Sequence, residues 1–168
     1  MENNAAPKSE FTITRVFNAP RTLVFDAWTE ASRLAQWWGP KGSTLKVAKL
    51  DLRPGGTFLY SMLTPDGREM WGKFVYREIV PPERLVLVNS FSDASGNIVR
   101  APFSPDWPLE ILNVMTLTEE GGRTTLSLTG GPINASEAEC RKFDSWHDSM
   151  RQGFGGTFDQ LEAYLAGY

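Results

Sequence analysis

The sequence predicts an α+β domain: a curved, largely antiparallel sheet wrapped around a long C-terminal helix, with two short helices after the first strand. Three observations carry this. From Ser136 onward, Phe143, His147, Met150, Phe154, Phe158, Leu161 and Leu165 recur at steps of three or four, which puts all seven on one helical face. Most of the chain before them alternates apolar and polar residues with the period of a strand. Only the segment after Pro20 breaks that alternation, with Val24, Phe25, Trp28, Leu34, Trp37 and Trp38 at helical spacing.

From the N-terminus, Phe11, Ile13, Arg15 and Phe17 alternate with Thr12, Thr14 and Val16, a strand that Ala19-Pro20 ends. Pro20 opens one or two short helices, since proline is tolerated in a first turn, and Gly39-Pro40 stops them. Leu45, Val47 and Leu50 belong to the next strand, which runs into Arg53-Pro54-Gly55-Gly56. Pro before Gly suits the central pair of a type II turn. Phe58, Tyr60 and Met62 alternate on the following strand, and Pro65-Asp66-Gly67 reads as a hairpin turn. Strands over 69–80 and 84–92 come next, the second with Leu85, Leu87, Asn89 and Phe91 on one side. Residues 93–106 are rich in Asp, Ser, Gly, Asn and Pro without a period, the composition of a long loop that can gate a site. A last hairpin over 107–119 and 123–130 turns at Glu119-Glu120-Gly121-Gly122. Ser136 with Glu139 three residues later is a capping box for the terminal helix.

Length and composition narrow the classes. The 168 residues suit one domain, expected over 10–168, behind a disordered tail over 1–9. A hydrophobic content of 41%, with six Trp and ten Phe, is that of a globular core and not of a disordered chain. The net charge of -3, with scattered Lys and Arg, argues against nucleic acid as a partner. Cys140 is alone, so neither an internal disulfide nor a metal set with the single histidine is expected. No apolar run reaches the length of a membrane span and the first ten residues are polar, so a cytoplasmic location is expected. No phosphate loop, hydrolase elbow, zinc motif or dinucleotide fingerprint occurs, and no cofactor is expected.

A sheet gripping one helix encloses space, and bulky rings must line it. The expected lining is Trp28, Trp37, Phe58, Tyr60, Met62, Trp71, Phe74, Phe91, Asn113, His147, Met150 and Phe154. Any one of the aromatic residues is equally a plain core residue. His147 is either a satisfied core residue or a polar anchor or proton donor, because imidazole titrates near neutrality. No residue is assigned as catalytic beyond His147 as a candidate. Asp144, Asp148 and Arg151 are expected on the solvated helix surface, paired at spacings of four and three. Glu69 and Glu110 are expected on exposed sheet edges and faces, with a paired acid/base role as the alternative. Gly153, Gly155 and Gly156 each cost about 1 kcal/mol in a helix interior, and close packing on a strand or on Trp71 is the expected compensation.

Several segments together resemble the bacterial family named for the activator of the heat-shock-protein-ninety ATPase. They are Ala19-Pro20, Val24-Phe25-Asp26-Ala27-Trp28-Thr29, Trp37-Trp38-Gly39-Pro40-Lys41-Gly42, Asp51-Leu52-Arg53-Pro54-Gly55-Gly56, Pro65-Asp66-Gly67 and Tyr76-Arg77-Glu78-Ile79-Val80-Pro81-Pro82-Glu83-Arg84-Leu85. Ser149-Met150-Arg151-Gln152-Gly153 and Asp159-Gln160-Leu161 complete the match, which spans about 10–166. The resemblance implies the START-like, or SRPBCC, helix-grip fold. Its wider superfamily includes lipid carriers, hormone receptors, and polyketide cyclases and aromatases, so fold alone leaves function open.

The first functional expectation is binding of a small apolar or amphipathic molecule between sheet and helix. The alternatives are a cyclase- or aromatase-like enzyme using His147 as acid or base, and a protein-interaction module related to the chaperone activator. No nucleic acid and no membrane span are expected, and a homodimer or a chaperone partner stays open.

Overall fold

A computed structural model describes residues 10–39 and 42–167. The tail expected over 1–9 and Pro40 of the helix stop lie outside the described residues. Strand β1 (Phe11–Phe17) leads into helices α1 (Arg21–Thr29) and α2 (Ala31–Trp37). Six strands follow: β2 (Thr44–Leu50), β3 (Thr57–Leu63), β4 (Glu69–Val80), β5 (Arg84–Ser92), β6 (Ile111–Glu120) and β7 (Arg123–Pro132). Helices α3 (Glu137–Ser145) and α4 (His147–Leu165) close the chain. The strands form one antiparallel sheet in the order β1-β7-β6-β5-β4-β3-β2, so β1 crosses over to pair with the last strand. This is the helix-grip architecture.

The turns obey local chemistry. Gly55 has φ +84°, the left-handed conformation that the third residue of a type II turn requires, and Gly56 N–H donates to the Arg53 carbonyl at 2.7 Å. In β2, Val47 pairs with Tyr60 but Lys49 pairs with Leu59, a bulge at Ala48. The bulge explains why the apolar pattern runs Leu45, Val47 and then Leu50.

Four expectations need correction. The terminal helix is two helices. Trp146 leaves helical geometry at φ −107°, ψ 8°, its N–H bonds back only three residues to Phe143, and Ser145 Oγ donates to the Lys142 carbonyl. Helix α4 restarts at once, with Met150 N–H on the Trp146 carbonyl, so the apolar stripe continues through the break. Second, β6 begins at Ile111 and not at 107, because Pro105 and Pro108 have no N–H to give a ladder and 101–107 folds into turns. Third, a Cβ on Gly153, Gly155 or Gly156 would meet nothing within 4 Å, so close packing does not account for these glycines. Fourth, the charged residues near the helix break do not pair with one another. Arg151 lies over the Phe11 ring and donates to the Thr12 carbonyl, while Asp144 lies beside His147.

The main core packs Trp28 and Trp37 of the short helices against Phe58, Phe74 and Tyr76 of the sheet and Phe158, Leu161 and Leu165 of α4. A second cluster gathers Phe11, Ala101, Trp107, Ile111 and Phe143, with Phe91, Trp146, Met150 and Phe154 packed on it. Arg15 ties β1 to α4, its guanidinium 2.5 Å from both Asp159 and Glu162 and donating to the Gly155 carbonyl. The capping box forms as expected, with Ser136 Oγ accepting from Glu139 N–H and the Glu139 carboxylate accepting from Ser136 N–H. No described helix is long and apolar enough to cross a membrane.

Candidate functional site

Alternation sets which residues face α4. One face of the sheet carries Phe58, Tyr60 and Met62 from β3, Met70, Gly72 and Phe74 from β4, and Leu85, Leu87, Asn89 and Phe91 from β5. Asn113 and Met115 of β6 and Leu128 and Gly130 of β7 continue the face. Three voids lie in succession along it.

The innermost is bounded by Trp28, Trp38, Phe74, Leu85, Leu87, Asn89, Asn113, Met115, Leu128 and Phe154. Its volume is about 20 Å³, room for a single water or one oxygen-sized group. The middle void, about 60 Å³, is bounded by Tyr60, Met62, Met70, Trp71, Gly72, Asn89, Ser90 and Phe91. Asn89 borders both. The outer void opens to solvent beside Arg68, Glu69, Met70, Trp71, Phe91, Ser92, Val99, Arg100 and Pro102, with a volume of about 360 Å³. It shares Met70, Trp71 and Phe91 with the middle one.

A polar partition separates the middle and inner voids. The Tyr60 hydroxyl sits between the Trp38 indole and the Asn89 amide; burial raises its pKa, and those two partners oppose the rise. Asn89 Nδ2 also donates to the Lys73 carbonyl at 3.3 Å. Gly72 makes this arrangement fit, since a Cβ there would stand 2.6 Å from the Tyr60 oxygen. Gly130 does the same for Asn113, whose Oδ1 would stand 2.6 Å from an added Cβ. Trp28 Nε1 is buried and meets no acceptor with hydrogen-bond geometry among the described residues, whereas the Trp38 indole has the Tyr60 hydroxyl beside it.

Of the twelve residues expected from sequence, Trp28, Phe74, Asn113 and Phe154 border the inner void. Tyr60, Met62, Trp71 and Phe91 border the middle one. Trp37 and Phe58 are core residues, and Trp37 Nε1 donates to the Ala27 carbonyl at 2.9 Å. His147 and Met150 lie by the second cluster and border neither of these two voids. The His147 ring makes edge contacts with Phe11 and Phe143 at 5.6 and 5.3 Å between centroids. Its Nε2 is 3.7 Å from Asp144 Oδ1, and both atoms are buried without a hydrogen-bond partner among the described residues. Glu69 is exposed, and Glu110 accepts from Asn134 Nδ2, so the two carboxylates form no pair.

Sequence reasoning missed Trp38 and Asn89 as lining residues. Asn89 carried a signal: it is the polar member of the row Leu85, Leu87, Asn89, Phe91. Trp38 carried none that separates it from Trp37. Helix α2 ends between them, and the extended backbone of Trp38 turns its ring onto Phe74, 5.3 Å between centroids.

The loop over 93–106 is tethered at both ends. Asp93 accepts from the N–H groups of Ser95 and Asn97, Val99 N–H donates to the Phe91 carbonyl, and Arg100 pairs with Glu139. Phe103, 46% exposed, stacks on Trp146 at 4.8 Å and meets Phe91 edge-on at 5.7 Å. The loop is thus held beside the outer void by aromatic contacts with both the sheet and the helix break.

The family model for Activator of Hsp90 ATPase homolog 1-like protein matches residues 18–166. No curated protein matches the sequence. Among solved structures, a Mycobacterium smegmatis protein is similar at 26% identity and TM-score 0.77, covering 97% of this chain and 94% of that one. A solution structure from Arthrobacter aurescens has 22% identity and TM-score 0.80, over 99% and 91% of the two chains. A Nitrosomonas europaea protein has 23% identity and TM-score 0.74, over 98% and 99%.

Proposed function

This chain belongs to the family of Activator of Hsp90 ATPase homolog 1-like proteins, and we propose that it binds a small hydrophobic or amphipathic molecule between the sheet and α4. The observation that carries this reading is the succession of three voids on one sheet face, each sharing residues with the next. The outer one has the volume of a small-molecule site, and its walls combine Met70 and Phe91 with the charged Arg68, Glu69 and Arg100, which suits an amphipathic molecule. Methionine suits such a wall because its unbranched side chain adapts to different ligand shapes. The inner and middle voids are too small for more than a water or two, so the body of a ligand lies outward and only its end reaches inward.

The experiment is native mass spectrometry of protein purified gently from its own cells, beside the same protein after acid denaturation. A non-covalent adduct present in the first and lost in the second is the expected result. Its absence from a folded Phe91→Asp variant, which puts a charge on the outer wall, would assign the adduct to this face. A bare chain in both samples, or an adduct retained undiminished by the Phe91 variant, would contradict the reading.

A further inference from the structure

No main-chain hydrogen bond links residues 100–109 to the rest of the protein among the described residues. The ladder stops where Val99 N–H donates to the Phe91 carbonyl, and it resumes where Ile133 N–H donates to the Glu110 carbonyl. Between those points the segment bonds to itself. Ser104 N–H donates to the Ala101 carbonyl, Trp107 N–H to the Ser104 carbonyl, and Arg100 Nη1 to the Trp107 carbonyl at 3.2 Å. Pro102, Pro105 and Pro108 fix three of its φ angles. It is therefore a stiff piece with a hinge at each end. The same Arg100 guanidinium pairs with Glu139 of α3, which ties the piece down. Otherwise it rests on side chains. Trp107 meets Phe143 and Trp146 at 5.5 and 5.6 Å between centroids, and Phe103 lies between Trp146 and Phe91. Nearly half of the Phe103 ring is still in solvent, so lifting it exposes less new apolar surface than lifting a fully buried ring would.

Resting on the small-molecule reading, we propose that residues 100–109 are a lid, latched by the Arg100–Glu139 pair, whose opening admits the ligand to the outer void. The position of the segment supports this. Arg100 and Pro102 border the outer void, and Phe91, on which Phe103 rests, borders both the outer and the middle one. Lifting the segment uncovers Phe91 and a strip of the second cluster through Trp146, Met150 and Phe154. Phe154 borders the inner void, so the uncovered strip runs the length of the line of voids. A lid of this kind sets rates and not the end state. When opening is rare and the ligand enters and leaves the same way, a weaker latch speeds entry and exit alike. The affinity then stays where it was.

The test is the kinetics of 2-acetylnaphthalene binding, with association and dissociation followed by stopped-flow tryptophan fluorescence. Two variants loosen the lid at residues that border none of the three voids. Glu139→Gln removes the charge of the latch and keeps the capping box, because glutamine suits that position as glutamate does. Phe103→Ala removes the ring that rests on Trp146 and Phe91. Both rate constants are expected to rise together, about threefold in Glu139→Gln and about tenfold in Phe103→Ala, the sizes of a half-exposed ion pair and of two aromatic contacts. The Kd should stay within about twofold of wild type. Rates unchanged in both variants, with the probe still bound, would overturn the lid and leave the small-molecule reading standing. A Kd weakened through faster dissociation alone would make the segment a fixed wall of the site and would overturn the lid as well. Failure of the wild-type protein to bind the probe would overturn the small-molecule reading itself, and the lid with it.

Discussion

The two halves of α4 use the same apolar stripe to opposite ends. In the C-terminal half, Phe158, Leu161 and Leu165 are buried against α1, α2 and the sheet, and Phe158 meets Phe17 and Trp28 edge-on at 5.9 and 6.5 Å. In the N-terminal half, Met150 and Phe154 are half-buried, Phe154 borders the inner void, and the three glycines face open space. One half anchors the helix in the grip of the sheet; the other leaves room beside it. Periodicity places a residue on the inward face, but the side chains standing opposite decide whether it fills space or borders a void.

The sharpest break in this comparison is a pair of truncations. Phe158→Ala should cost about 3–5 kcal/mol, the range for a fully buried ring, whereas Phe154→Ala should cost less than about 2 kcal/mol. Denaturant unfolding of both variants measures the difference. Equal losses would mean that the two halves are packed alike.

Next in size is the cap of α3. Ser136→Ala should destabilise by about 1 kcal/mol through loss of the Glu139 N–H partner, with the melting temperature as the readout. An unchanged melting temperature would remove the capping box from the account.

Gly153→Ala and Gly155→Ala should each stabilise by up to about 1 kcal/mol, because the new Cβ meets open space and alanine is the better helix former. Stabilisation with the native-mass-spectrometry adduct retained would identify the glycines as sequence latitude. Destabilisation would show packing at that face that the structure lacks.

The smallest effect is a pH dependence. The Arg100 guanidinium, then the Ser136 N–H, hold the Glu139 carboxyl below its usual value of 4.5. The folded form therefore binds its proton less readily than the unfolded chain. The stabilisation is present above pH 4.5 and is lost as pH falls through the lower folded value. The melting-temperature gap between wild type and Glu139→Gln should narrow as pH drops from about 6 to about 3. A gap that widens would show the opposite sign of coupling. Arg100 is half exposed, so solvent screening keeps the effect small.

Legibility in the sequence tracked how local each feature is. The turns at Pro54-Gly55 and Pro65-Asp66-Gly67 and the cap at Ser136 depend on a few neighbouring residues, and all three formed as read. The antiparallel sheet and the helix it encloses came from alternation and from the amphipathic stripe. The break at Trp146 left no mark on the stripe, because one departing residue does not shift the phase of the residues after it. The choice between Trp37 and Trp38 hinged on the residue at which α2 ends, a boundary that composition does not fix to within one position. The size of the voids depends on rotamers packed from five strands, two helices and the segments between them, which no local pattern encodes.

The central claim is that a small molecule lies against Met62, Met70 and Phe91 on the sheet face, away from the packed C-terminal half of α4. Intermolecular NOEs between 2-acetylnaphthalene and isotope-labelled protein test it most directly. The predicted result is contacts from the probe to the methyl groups of Met70 and Met62 and to the ring of Phe91, with none to Leu161 or Leu165. Contacts confined to Leu161, Leu165 or the exposed side chains of Val16, Leu52 and Val80 would contradict it.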